Sequence, residues 1–145
     1  VTRIDVAPDV ALVANADAAS PGATPIARRA KPMVEVAVTR AYIQVFDDAD
    51  LPRARALADW CEKARHWLVP GIENVTETAR RNGRAAPKGA AVAQVRFFNA
   101  EDADAAAAIV SWLREHEQPD AEVRRVSANV PSGQLEVWFA KRRAG

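Results

Sequence analysis

Residues 42–60 read YIQVFDDADLPRARALADW and residues 94–112 read QVRFFNAEDADAAAAIVSW, two stretches that superpose without a gap at a constant offset of 52 positions. Ile43 falls on Val95, Val45 on Phe97, Phe46 on Phe98, Asp50 on Asp102, Leu57 on Ile109 and Trp60 on Trp112. Alanine matches such as Ala54 with Ala106 and Ala56 with Ala108 carry little weight alone. The tryptophan, phenylalanine and aspartate matches mark a duplication. Farther on the offset drops to 51, placing Ile72 on Val123 and Val75 on Val126.

Each copy has the same internal grammar. An apolar-rich stretch with strand propensity comes first, 42–46 in one copy and 92–98 in the other. An acidic stretch follows, Asp47-Asp48-Ala49-Asp50 or Asn99-Ala100-Glu101-Asp102, whose side chains suit the free amides at a helix start. The helices are expected over 51–68, with Pro52 in the first turn and Leu57, Trp60, Ala64, Trp67 and Leu68 on one face, and over 103–116, with Ile109, Val110, Trp112 and Leu113 as the bulky residues. Pro70-Gly71 and Pro119 close them, and return strands are expected over 72–78 and 122–128.

A lone β-α-β unit of this size cannot bury its helix face, but two units sharing a sheet can hide both helices on one side. The expected class is therefore α+β, a ferredoxin-like split sheet of two β-α-β repeats with both helices on one face. Pro131-Ser132-Gly133 then turns the chain into an additional C-terminal strand over 134–140, with Leu135, Val137 and Phe139 on one face. In domain terms, 1–32 is an N-terminal linker or edge segment rich in alanine and proline, whose stretches 3–6 and 10–13 could add an edge strand. Residues 33–145 form the tandem domain, starting with the alternation of Val34, Val36 and Val38, with repeat one over about 41–79, a basic loop over 80–91 and repeat two over about 92–128.

The 145 residues, 49% hydrophobic and 27% charged, fit one small domain with a flanking tail. A net charge of +1 gives no overall attraction to nucleic acid or an anionic membrane. The basic groups Arg80, Arg81, Arg84 and Lys88, and Lys141, Arg142 and Arg143, read as a solvated loop and tail, and 94–100 lacks the glycines of an RNA-reading sheet motif. No apolar run is long enough to span a bilayer and no basic n-region precedes an apolar stretch. The chain opens on Val1 rather than methionine, which reads as part of a longer or processed polypeptide.

Tyr42-Ile43-Gln44-Val45-Phe46, the helix over 54–64, Gln94-Val95-Arg96-Phe97-Phe98, the helix over 105–113 and the return strand resemble the SPOR (sporulation-related repeat) domain. Its halves each open with an aromatic-containing Gln-Val strand followed by an alanine-rich helix. The resemblance covers about 43–128. It implies a non-catalytic module that binds bare peptidoglycan glycan strands in the bacterial envelope, hence a periplasmic setting. Asp47-Asp48 and Asn99-Ala100 stand where the family has Gly-Ser or Gly-Pro, and the strand over 134–140 is additional to its pattern.

Strand alternation yields a site independently of that resemblance. If Ile43, Val45, Val95 and Phe97 face the helices, then Tyr42, Gln44, Phe46, Arg96 and Phe98 line the opposite face. An aromatic face of this kind stacks sugars or bases, receives residues 1–32, or joins a protein partner or a second copy in a homodimer. No nucleotide-binding, hydrolase or calcium-loop motif occurs, so no catalytic residue, metal ligand or cofactor is expected. Cys61 and His66 are set about 140° apart around a helix, too far to form a thiol-imidazole pair. Cys61 aligns with Leu113 and reads as a small core residue, and His116 as part of a solvated helix end. The acidic clusters read as caps and not as metal ligands, and the sequon Asn74-Val75-Thr76 is too short a match to decide anything.

Overall fold

The computed structural model describes residues 38–141. The expected linker over 1–32, its two candidate edge stretches, the boundary at 33, Val34, Val36, Arg142 and Arg143 lie outside the described residues.

The two copies of the repeat fold alike. Strand β1 (Arg40–Val45) leads through a one-turn 3-10 helix, Asp48–Asp50, into helix α1 (Leu51–Ala64) and returns as strand β2 (Ile72–Asn74). Helix α2 (Val75–Arg81) follows. Strand β3 (Gln94–Phe97) leads through a one-turn 3-10 helix, Ala100–Asp102, into helix α3 (Ala103–Arg114) and returns as strand β4 (Glu122–Arg125), before the last strand, β5 (Gln134–Trp138). Both return strands lie parallel to the strand that opened the unit, as a helical crossover requires. Their registers are equivalent: Ile43 pairs with Ile72, and Val95 pairs with Val123.

Both helices also end alike. His66 (φ 57°) and Glu117 (φ 71°) take left-handed backbone, and the next amide folds back into the helix: Trp67 N–H donates to the Cys61 carbonyl at 3.0 Å, Gln118 N–H to the Leu113 carbonyl at 3.0 Å. Cys61 and Leu113 are equivalent, yet the first reversal spans six residues and the second five. That one-residue difference is where the offset falls from 52 to 51. It also ends α1 before Trp67 and Leu68, so the helix expected over 51–68 is shorter.

The α+β class, the two β-α-β units and the extra strand are present in a five-stranded sheet of order β2-β1-β5-β3-β4. The strand order departs from a split sheet. There, strands of the two units interleave; here each unit keeps its own strands as neighbours, and β5 fills the seam, parallel to β1 and antiparallel to β3. The seam is anchored by the cap of the second repeat. Asn99 Nδ2 donates to the Val130 carbonyl at 3.1 Å, Ser132 Oγ to Glu101 at 2.9 Å, and the Gly133 amide to Asp102 Oδ2 at 2.8 Å. Its own backbone amide first, and then the Ser132 hydroxyl, hold the Glu101 carboxyl below the usual carboxylate range.

Odd-numbered residues of the central strands face the helices. Ala41, Ile43 and Val45, then Val95 and Phe97, then Leu135, Val137 and Phe139 form one cluster with Ala54, Leu57 and Cys61 of α1 and Ala106, Ile109, Val110, Trp112 and Leu113 of α3. Both helices therefore cover one face. They meet where Trp60 lies 6.3 Å from Trp112, ring centre to ring centre, and Arg53 at the start of α1 pairs with Glu117 just past α3. Cys61 belongs to this core, and burial pushes its thiol up to about 12. His116 stacks on Trp112 at 3.8 Å. Among the described residues, no helix is long and apolar enough to cross a membrane.

Several expected boundaries are corrected. The return strand over 72–78 stops at Asn74, because the Asn74 side chain accepts from the Glu77 amide at 3.0 Å and starts α2. The stretch 80–91 is consequently a loop only after Arg81. β3, β4 and β5 are shorter than expected, lying within 92–98, 122–128 and 134–140, while β1, expected over 42–46, runs Arg40–Val45.

Candidate functional site

The second face of the sheet carries the even-numbered side chains of β1, β3, β4 and β5, with Glu73 of β2, in two rows set by strand register. One row runs Glu73, Gln44, Trp138, Gln94, Glu122, and the other runs Tyr42, Glu136, Arg96, Arg124. Trp138 sits at the centre, since β5 is the middle strand. Its ring lies 4.9 Å under the Arg96 guanidinium and 5.9 Å from the Phe46 ring, and its Nε1 donates to Glu136 at 2.9 Å. Arg96 also donates to the Gln94 side chain at 3.1 Å, and Gln94 donates in turn to Glu122 at 2.9 Å. The Gln44 amide nitrogen donates to the Tyr42 and Val137 carbonyls at 3.1 and 3.0 Å. A polar network thus holds the indole in one orientation.

Of the five residues expected on this face, Tyr42, Gln44 and Arg96 lie on it and are half-buried. Phe46 is on it too, but only 7% exposed. The segment after α2 crosses over its ring, and a Cβ at Gly89 would lie 2.7 Å from Phe46 Cζ and 2.5 Å from Lys141 Cβ, so glycine permits this approach. Lys141 Nζ lies 5.5 Å from the ring on the same side. Phe46 is therefore part of a small second core, not a platform for ligand. Phe98 is half-buried one residue beyond β3 and takes no part in the stacking around Trp138.

The covering segment creates a cleft. Gln44, Glu73 and Trp138 of the sheet face Val75, Thr78 and Ala79 of α2 and Arg84, Ala85 and Pro87 of the following loop across a space of about 320 Å³. This volume is at the lower end for ligand sites, enough for a short piece of a polymer. Its lining offers an indole, a carboxamide, a carboxylate, a hydroxyl and a guanidinium. The expected face lacked α2, so the cleft was not foreseen. Trp138 was missed as well, although it alternates with Val137 and Phe139 and so must point away from the helices.

Of the acidic clusters, Asp47 caps as expected, accepting from the Ala49 amide at 2.7 Å, whereas Asp48 accepts from the Asn74 side chain at 2.8 Å, Glu101 from the Ser132 hydroxyl, and Asp102 from the Gly133 amide instead of an amide of α3. Among the described residues, no three His, Cys, Asp or Glu side chains gather where they could hold a metal ion. Comparison of the chain with protein-family models, curated proteins and solved structures gave no match in any of the three.

Proposed function

We propose that this chain is a non-catalytic binding module that takes a short stretch of glycan, with peptidoglycan glycan of a bacterial envelope as the specific ligand. The observation that carries the reading is Trp138, held by Arg96 and Glu136 in a cleft whose remaining lining mixes the polar side chains of Gln44, Glu73, Thr78 and Arg84 with small apolar ones. Sugars are bound by the same combination: an aromatic face for the C–H side of the ring, with amide and charged groups for hydroxyls, N-acetyl groups and carboxylates. Gln44, Glu73, Thr78 and Arg84 supply the polar part. The resemblance of 43–128 to SPOR repeats points to the same ligand.

The test is binding to isolated peptidoglycan glycan strands by co-sedimentation, with Trp138→Ala beside the intact protein. A central tryptophan contributes more than ~1.4 kcal/mol in a desolvated site, so Trp138→Ala is expected to weaken binding at least tenfold at unchanged circular dichroism. Phe98→Ala, outside the cleft, is expected to bind within about twofold of the intact protein. An intact protein that stays in the supernatant when the strands sediment refutes the reading.

A further inference from the structure

The sheet ends in two unlike edges. β2 is three residues long and runs straight into the Asn74 cap of α2. β4, Glu122-Val123-Arg124-Arg125, is exposed along most of its length, with Val123 39% exposed. Its pairing with β3 fixes which groups point outward. The amides of Glu122 and Val126 donate to the carbonyls of Ala93 and Phe97, at 3.0 and 2.9 Å, so the even-numbered residues of β4 face β3. The amides and carbonyls of Val123 and Arg125 therefore point away from the sheet, and among the described residues no strand pairs with them.

We propose that β4 is the interface between two copies of this chain, paired antiparallel about a two-fold axis through Val123 and normal to the sheet. Such an axis keeps equivalent faces on the same side, so residues opposite each other share parity. With only Val123 and Arg125 facing out, three registers are available. Centring on Arg125 sets Arg125 against its own twin, and centring on Arg124 sets Arg124 against its own twin. Centring on Val123 sets Val123 against Val123 of the second copy, joined by both their amides and carbonyls, and sets Glu122 against Arg124 of the second copy, twice. Charge complementarity selects the register centred on Val123. A four-residue edge buries far less than the ~1,200 Å² of a stable interface, so the expected dimer is concentration-dependent. The axis direction also places both copies' Trp138 clefts on one side of a ten-stranded sheet, so that two weak sites can hold one polymer together.

Sedimentation over a concentration series, without any glycan, tests the dimer independently of the ligand. The wild-type chain is expected to move from monomer to dimer. Glu122→Arg and Arg124→Glu each set like charges opposite one another and are expected to weaken dimerisation by at least about tenfold. Mixed together, the two variants restore both Glu–Arg pairs and are expected to form a heterodimer as readily as the wild type dimerises. Both substituted side chains are exposed enough for the monomer fold to tolerate the change, with circular dichroism as the check. A wild-type chain that stays monomeric throughout, or variants that dimerise alone as well as the wild type does, overturns the proposal.

Discussion

Replacing Asp102 by alanine is the sharpest probe of how the second repeat fixes the central strand. Asp102 is 6% exposed, and its Oδ2 accepts the Gly133 amide at 2.8 Å. Gly133 is itself buried, with φ 93°, and its carbonyl accepts from the Arg40 amide at 2.7 Å. One carboxylate thus ties the start of α3 to the turn that lines β5 up against β1. A hydrogen bond to a charged group contributes ~1.5–3 kcal/mol, and Asp102→Ala leaves the Gly133 donor without a partner in a place that water does not reach. The expected loss is about 2–3 kcal/mol, which at ~4–8 °C per kcal/mol for a domain of this size is a fall of roughly 10–20 °C in Tm.

Two control substitutions separate the charge of Asp102 from its acceptor oxygen and from an ordinary exposed cap. Asp102→Asn retains an acceptor oxygen and loses the charge, so a loss of about 1 kcal/mol is expected. Asp47→Ala removes an exposed cap, the Ala49 contact, and is expected to cost about 0.5–1 kcal/mol. Urea unfolding followed by circular dichroism gives all three on one scale. If Asp102→Ala lies within about 0.5 kcal/mol of wild type, or costs no more than Asp47→Ala, the anchoring role assigned to Asp102 is wrong.

Two further substitutions and one chemical test follow from the helix ends and the core. His66 is exposed and takes left-handed backbone at φ 57°, so His66→Gly is expected to stabilise by about 1 kcal/mol, measured as a rise in the urea midpoint; the same change at Glu117 gains less, because it also removes the partner of Arg53. The Cys61 thiol, fully buried and raised to about 12, is expected to resist a water-soluble thiol reagent at pH 8 in the native protein and to react within minutes in denaturant, which absorbance of the released chromophore reads.

The duplication was legible because it is written in bulky residues with a structural job. Trp60 and Trp112 touch each other across the helix seam, and the equivalent registers of Ile43 with Ile72 and Val95 with Val123 follow from the same overlay. The partition of the strands was legible too, since odd positions from Ala41 to Phe139 are apolar and period two assigns them to one face. Helix α2 was not recognised because Val75-Thr76-Glu77-Thr78 has strand propensity, and the competing signal, Asn74 three residues ahead of Glu77, is a local cap that outweighs it. The burial of Phe46 was hidden for a different reason. Its cover comes from Gly89 and Lys141, residues that advertise no packing partner, and it lies close because Gly89 has no Cβ.

The position of β5 explains why the site lies on one half of a duplicated fold. The two units are related by a rotation about the sheet normal: it reverses strand direction, carries β2-β1 onto β4-β3 and leaves both helices on the same face. β5 lies on that axis. A single strand cannot be its own symmetry mate, so it is parallel to one neighbour and antiparallel to the other, and Trp138 meets Gln44 on one side and Gln94 on the other. The first repeat then departs from the second once more, by adding α2 after its return strand, and α2 stands over the Gln44 side of the indole only. Symmetry builds the scaffold and the helix seam; the cleft exists where two unduplicated pieces, β5 and α2, face each other across the sheet. A function that depends on Trp138 therefore depends on the parts of the chain for which the repeat has no counterpart.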